Sequence, residues 1–179
     1  KPGFPPLPQR VTSEHLLIAT SRPEFIPACV AVEVNPSDER FSKYIGKKIV
    51  VPLVNRTVTI IGEESVDPAF GTGVVQICTF GDKEDVKTVL KHKLPVIRLL
   101  ADNGQISEAG GKYSGLYLNQ ARTAVVADLT AAGLLEKTEK IMQEVGVCDR
   151  CKTHVEILEQ KQWFMKTMEL TDEVVKATN

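Results

Sequence analysis

The stretch Phe70-Gly-Thr-Gly-Val-Val-Gln-Ile-Cys-Thr-Phe-Gly-Asp-Lys-Glu-Asp85 changes character twice along its length. It opens on two glycines around a threonine, runs through β-branched and apolar residues, and closes on a glycine followed by acidic residues. Glycines beside a strand let the backbone take positive φ or approach a neighbour closely. The run at residues 73–79 has strand composition. Asp82 stands where a helix cap belongs, ahead of Val86, Val89 and Leu90 at helical spacing. Turn, strand and capped helix in succession predict a mixed α+β fold with polar groups gathered where the strand hands over to the helix.

Outward from that stretch, further β-branched runs occupy residues 16–20, 29–34, 48–53 and 58–61, separated by turn signals such as Arg22-Pro23, Asn35-Pro36 and Asp67-Pro68. Another strand is expected at 94–100, and helices at 37–44, 82–91 and 117–135. Short strands so closely spaced predict a β-barrel core with helices on its rim. Residues 1–12 are proline-rich and read as a linker or the edge of a larger protein. Residues 13–145 form the expected main domain. Residues 146–179 read as an exit segment ending in a strand and a helix.

The chain has 179 residues with a formal net charge of −1, from 22 Lys+Arg against 23 Asp+Glu. A bulk basic surface for nucleic acid is therefore excluded, and any RNA must be gripped locally or by other parts of a parent protein. No apolar run reaches the ~18–20 residues that span a bilayer, so no membrane partner is expected. Two isolated cysteines, Cys29 and Cys78, fall in strand-like segments and do not form a disulfide pattern, which suits a reducing, cytoplasmic setting.

Four local groups can carry chemistry. Asp82 and Asp85 can bind an ammonium or a ribose hydroxyl, or position water; they can equally cap the helix that follows. Phe70, Gly71, Thr72 and Gly73 lack the lysine of a Walker loop and the third glycine of a dinucleotide fingerprint, so close backbone approach or a tight turn remains. Thr20, Ser21 and Arg22 lie at the end of the first strand run, where hydroxyls and a guanidinium fork can grip a phosphate or carbonyl, or simply form a polar turn shaped by Pro23. Cys148 and Cys151 have the spacing of half a zinc ribbon, with His154 at an unusual distance, so an incomplete site is expected. His15 and His92 read as surface or core histidines. No Ser-His-Asp or Cys-His order is visible, so covalent catalysis has no support.

In this order, the groups resemble the editing insertion of valyl-tRNA synthetases, within the valyl, isoleucyl and leucyl group of class I enzymes. The resemblance runs through Leu17-Ile-Ala-Thr-Ser-Arg-Pro-Glu24, Pro27-Ala-Cys-Val-Ala-Val32, Asn35-Pro-Ser-Asp-Glu-Arg40 and Pro52-Leu-Val-Asn55. It continues through Val66-Asp-Pro-Ala-Phe-Gly-Thr-Gly-Val74, Gly81-Asp82 with Asp85, and the exit at Cys148, Cys151 and Lys161-Gln-Trp-Phe164. Arg22-Pro23-Glu24 fits the valyl pattern, and Cys78-Thr-Phe-Gly81 looks like the archaeal branch. Gln76 stands where a lysine is common, and Phe25 where a threonine is.

The resemblance implies hydrolysis of a mischarged threonyl-tRNA(Val) ester, with no cofactor for that step and zinc only in the full-length parent. Asp85 would hold the α-ammonium, and Asp82 the substrate side chain or a water. Thr20, Ser21 and Arg22 would contact the ester or the terminal ribose, and Phe25, Phe70, Gly71, Thr72 and Gly73 would also line the substrate site. Gln76 and Cys78 would line the side-chain pocket. The implied partners are the tRNA 3′ end and the rest of the synthetase, with the unit a monomer. The His-Ile-Gly-His and Lys-Met-Ser-Lys-Ser signatures of ATP chemistry are missing. Isoleucyl editing of valyl-tRNA(Ile), a free-standing deacylase and a silent tRNA-docking module are the alternatives.

Overall fold

The computed structural model describes residues 15–178, so the expected linker at 1–12 lies outside the described residues. Four strands form one sheet: β1 (Cys29–Val34), β2 (Lys48–Val51), β3 (Arg56–Gly62) and β4 (Val74–Cys78). Their order is β2-β3-β1-β4, with β1 parallel to β3 and antiparallel to β4. Every residue of β1 is buried, as a central strand covered on both faces requires.

On one face Val32, Val34, Val58, Ile60 and Val74 join Phe25, Leu99, Ile106 and Tyr113 in the main core. Helix α2 (Leu118–Ala131) closes that core with Ala121, Val125 and Leu129, a stripe at four-residue spacing. On the other face Ala31 and Ile77 pack with Val89 of helix α1 (Lys83–His92). A third helix, α3 (Thr167–Thr178), lies at the C-terminal end. No helix among the described residues is long and apolar enough to cross a membrane.

The mixed α+β class stands, but the sheet is open, and among the described residues no ladder closes it into the expected barrel. The two segments expected to complete a barrel use their polar groups otherwise. At 94–100, Pro95 has no N–H to donate, the Ile97 N–H goes to Thr79 Oγ1 at 3.2 Å, and Leu100 makes only an isolated bridge to Ile106. Residues 16–20 join no ladder. The helix expected at 37–44 shrinks to a single 3₁₀ turn, Ser42–Tyr44. The strand expected ahead of α3 does not form, whereas residues 147 and 154 pair across a short hairpin.

Candidate functional site

Strand β4 is an edge strand, and a single segment, residues 19–22, runs beside it from one end to the other. At the start of the strand, a Cβ on Gly71 would meet the Ala19 Cβ at 3.3 Å, so the Phe70–Gly73 turn touches this segment. Midway, Gln76 Nε2 donates to Thr20 Oγ1 at 3.3 Å. At the far end, Arg22 Nη1 donates to the Gly81 carbonyl at 2.9 Å. Ser21, between Thr20 and Arg22, is half-buried. The structure thus joins the three polar groups around one strand.

Two glycines are required by this arrangement. Gly73 has φ +77°, and a Cβ there would sit 2.7 Å from Arg40 Nη2 and 2.9 Å from the Pro68 carbonyl. Gly81 leaves room for the Asp85 carboxylate, whose Oδ2 a side chain at 81 would strike.

The capping reading of the acidic pair holds at Asp82. This residue is the N-cap of α1, its carboxylate accepting the Asp85 N–H at 2.8 Å. Asp85 turns back off the helix, and its Oδ1 accepts the Cys78 N–H at 3.2 Å, tying the helix start to the end of β4. Burial, and next the negative charge of Asp82, push its carboxyl up to about 7, against the pull of the Cys78 and Asp82 N–H groups. Among the described residues no lysine or arginine forms an ion pair with Asp85. A half-buried acid of that pKa with no resident cation is suited to receive one from a ligand.

Other candidate residues face inward. Phe25 is 2 % exposed and lies under the Arg22 guanidinium, whose carbon is 4.1 Å from the ring centre. Arg22 also pairs with Glu156 at 2.6 Å, so the free cationic fork expected from the sequence is engaged within the protein. Cys78 is buried beside its β1 register partner Cys29; the hydrogen bond with the Cys29 thiol, and next burial, raise its thiol well above the ordinary range, which disfavours the thiolate. Thr72 is buried and shares its hydroxyl with Val74, while Phe70 is well exposed at the surface. Sequence reasoning missed Glu24: it is 2 % exposed and accepts both guanidinium nitrogens of Arg122 on α2, at 2.9 and 2.8 Å.

Cys148 and Cys151 flank a tight hairpin, closed by hydrogen bonds from the Cys148 N–H to Thr153 and from the Lys152 N–H to Cys148, both 2.8 Å. The Thr153 hydroxyl lies 2.8 Å from Cys151 Sγ, and its hydroxyl and N–H draw that thiol's pKa down. The pair fits two of the four ligands of a structural zinc; among the described residues no third ligand joins it.

The chain is 51% identical over 168 residues to the valine–tRNA ligase of Methanopyrus kandleri, covering 89% of this chain and 18% of the relative. It is 53% identical over 149 residues to that of Methanosarcina acetivorans, covering 83% of this chain and 17% of the relative. With the enzyme of Methanothermobacter thermautotrophicus the identity is 48% over 170 residues, covering 95% and 19%. Among solved structures, it is similar at 20% identity and TM-score 0.46 to a LeuRS chain of Agrobacterium radiobacter K84 in a ternary complex with tRNA and LeuAMS, over 63% of this chain and 16% of that one. That likeness is too distant to bear on the site. No protein-family model matches the chain.

Proposed function

The chain belongs to the valine–tRNA ligase family, spanning 17 to 19% of the length of the relatives compared, and from that premise we propose that it is their proofreading unit, hydrolysing the ester of mischarged threonyl-tRNA(Val). The observation that carries this reading is Asp85: a half-buried carboxylate without a cation, held by N–H groups at the junction of β4 and α1.

The aminoacylated 3′ adenosine lies along β4, between residues 19–22 and the start of α1. The α-ammonium of the substrate ionises Asp85 and pairs with it, a charge-assisted contact that fixes the ester. Asp82, exposed at the cap, orders a water or meets the substrate side chain. That water attacks the ester carbonyl, the bond to the ribose oxygen breaks, and a proton passes to that oxygen, leaving free threonine and tRNA. These residues provide no dedicated general base. An aminoacyl ester is already activated, so positioning and charge stabilisation supply the acceleration.

Selectivity has a physical basis in the Thr20–Gln76 pair. A valine pocket rejects threonine poorly because hydroxyl and methyl are close in size, a limit for which valyl enzymes are themselves the standing example. A second site must invert the criterion. The Thr20 hydroxyl and Gln76 amide, half-buried and 3.3 Å apart, offer partners to a threonine hydroxyl. Valine offers them no hydrogen bond, and a remaining N–H or lone pair buried unsatisfied against its methyl would cost about 1–3 kcal/mol. The rest of the synthetase and the tRNA body are the partners this reading requires. Zinc at Cys148 and Cys151, completed by ligands of the longer protein, would brace the hairpin and take no part in hydrolysis.

The test is deacylation of threonyl-tRNA(Val), valyl-tRNA(Val) and valyl-tRNA(Ile) by the chain and by the full-length parent. Selective loss of threonine from the first supports the proposal. Selective loss of valine from the third moves it to isoleucyl-type editing, and no hydrolysis by chain or parent overturns it.

A further inference from the structure

The face of the sheet opposite the main core carries a second polar cluster, at the other end of α1. Glu33 lies on β1, the central strand, and is 4 % exposed. One of its carboxylate oxygens, Oε1, is buried with no hydrogen-bond partner. Glu63 directly follows β3, held there by its own N–H donating to the Val34 carbonyl at 2.9 Å. His92 is the last residue of α1, and its Nε2 is also buried without a hydrogen-bond partner. That nitrogen lies 3.5 Å from Glu63 Oε2, and one ligand atom from each of the three residues lies within 4.8 Å of the others.

A purely structural cluster should satisfy these atoms, because buried polar groups left unpaired cost about 1–3 kcal/mol each. The nearby cation fails to do so. Lys91 pairs with Glu63, but its side chain is 60% exposed and it leaves Glu33 Oε1 and His92 Nε2 unpartnered. The Nε2 to Glu63 separation is too long for a good hydrogen bond. It is close to the ~3.4 Å between two ligands of one tetrahedral ion with bonds of roughly 2.0–2.1 Å.

We propose that Glu33, Glu63 and His92 form a binding site for a divalent cation of the zinc class. An imidazole nitrogen with two carboxylates selects zinc and its transition-metal neighbours over calcium and magnesium, which prefer oxygen ligands throughout. Three protein ligands leave one position for water. The ligands come from three elements already fixed to one another: β1 and β3 by their parallel register, Val34 opposite Gly62, and α1 by buried Val89. The bound ion bolts the C-terminal turn of α1 to the sheet, and so holds the helix whose first turn carries Asp82 and Asp85. This site is separate from the Cys148–Cys151 hairpin and does not depend on what the chain hydrolyses.

The test uses the 179-residue chain with Cys148→Ser and Cys151→Ser, so that the hairpin thiolates cannot take the metal. After dialysis against micromolar zinc, metal analysis should find about one equivalent per chain, and zinc should raise the melting temperature. Cobalt in its place should give a spectrum of nitrogen and oxygen ligation without thiolate absorption. His92→Gln and Glu63→Gln, both on partly exposed side chains, should weaken binding at least about tenfold and remove the thermal shift. Glu33→Gln should do the same, with circular dichroism checking that it folds. A folded Cys148→Ser, Cys151→Ser chain that holds no metal overturns the proposal, and so does a folded His92→Gln that binds as tightly as its parent.

Discussion

Two carboxylates, Glu24 and Asp85, flank the Thr20–Arg22 segment and meet opposite fates. Glu24 lies in the first turn of the 3₁₀ helix Pro23–Ala28 and is almost wholly buried, yet both its oxygens are taken by the Arg122 fork, with Arg22 Nε at 3.5 Å. Asp85 is less buried and sits at a helix N-terminus, where the backbone dipole favours an anion. Even so burial, and next the negative charge of Asp82, push its carboxyl up to about 7. Charge compensation, more than depth, distinguishes them. An acid with a resident cation serves the fold, and an acid without one is available to a ligand.

The largest effect expected from this contrast is at Asp85. Asp85→Ala should cut deacylation of threonyl-tRNA(Val) by about 10²–10³-fold, the scale of removing one electrostatic contact to a reacting centre. Rate and thermal melt together check it: activity falls while the chain at pH 8 is no less stable. Asp85→Asn sharpens the point. The amide oxygen still accepts the Cys78 N–H, so this variant should be as inactive as the alanine and fold normally. An active Asp85→Asn would break the comparison.

Glu24→Ala should behave in the opposite way. Breaking a buried pair costs ~3–5 kcal/mol, and the half-exposed Arg122 side chain lowers the expectation to about 2–3 kcal/mol, read from denaturant unfolding. Deacylation per folded molecule should stay within a few-fold. Loss of activity without loss of stability would make Glu24 part of the site.

This division was only half legible in the sequence. Strands β1, β3 and β4 and helices α1 and α2 follow from apolar period and turn residues, because each is a local pattern. The barrel misled because residues 94–100 have strand composition, while the decisive bond, Ile97 N–H to Thr79 Oγ1, joins backbone to a side chain and has no period. Asp82 as a cap was readable from its place before a helix. Arg22 was not readable as internally engaged: its partner Glu156 is 134 residues away. Glu33, Glu63 and His92 are likewise about thirty residues apart in turn, so spacing carries no signal, and His92 reads as an ordinary histidine until the parallel pairing of β1 and β3 brings the three together.

A pH profile tests the missing cation more finely. Because Asp85 is raised to about 7, its ionised fraction falls roughly tenfold from pH 8 to pH 6, and deacylation should fall with it. The stability sign is reversed. The folded pKa lies above the unfolded value, so the folded chain binds the extra proton between them. This group's favourable contribution is fully present below the ordinary carboxylate range and is lost as pH rises through about 7. Activity and stability should therefore move in opposite directions near neutrality, and Asp85→Asn should flatten that part of the stability curve. A deacylation profile flat from pH 6 to 8 would remove the titrating acid from the proposed mechanism.

The smallest predicted effect comes from Asp82, whose two roles act on different readouts. Asp82→Ala removes a helix cap and should cost about 1 kcal/mol of stability, whereas Asp82→Asn keeps a capping oxygen and should cost less. Both remove the negative charge that helps raise Asp85, so both should move the deacylation midpoint to lower pH. The pair of variants therefore separates cap from charge. A shared pH shift with unequal stability loss is the expected pattern. A change in preference between threonyl and valyl esters that appears in both would instead mean that the Asp82 carboxylate touches the substrate side chain directly.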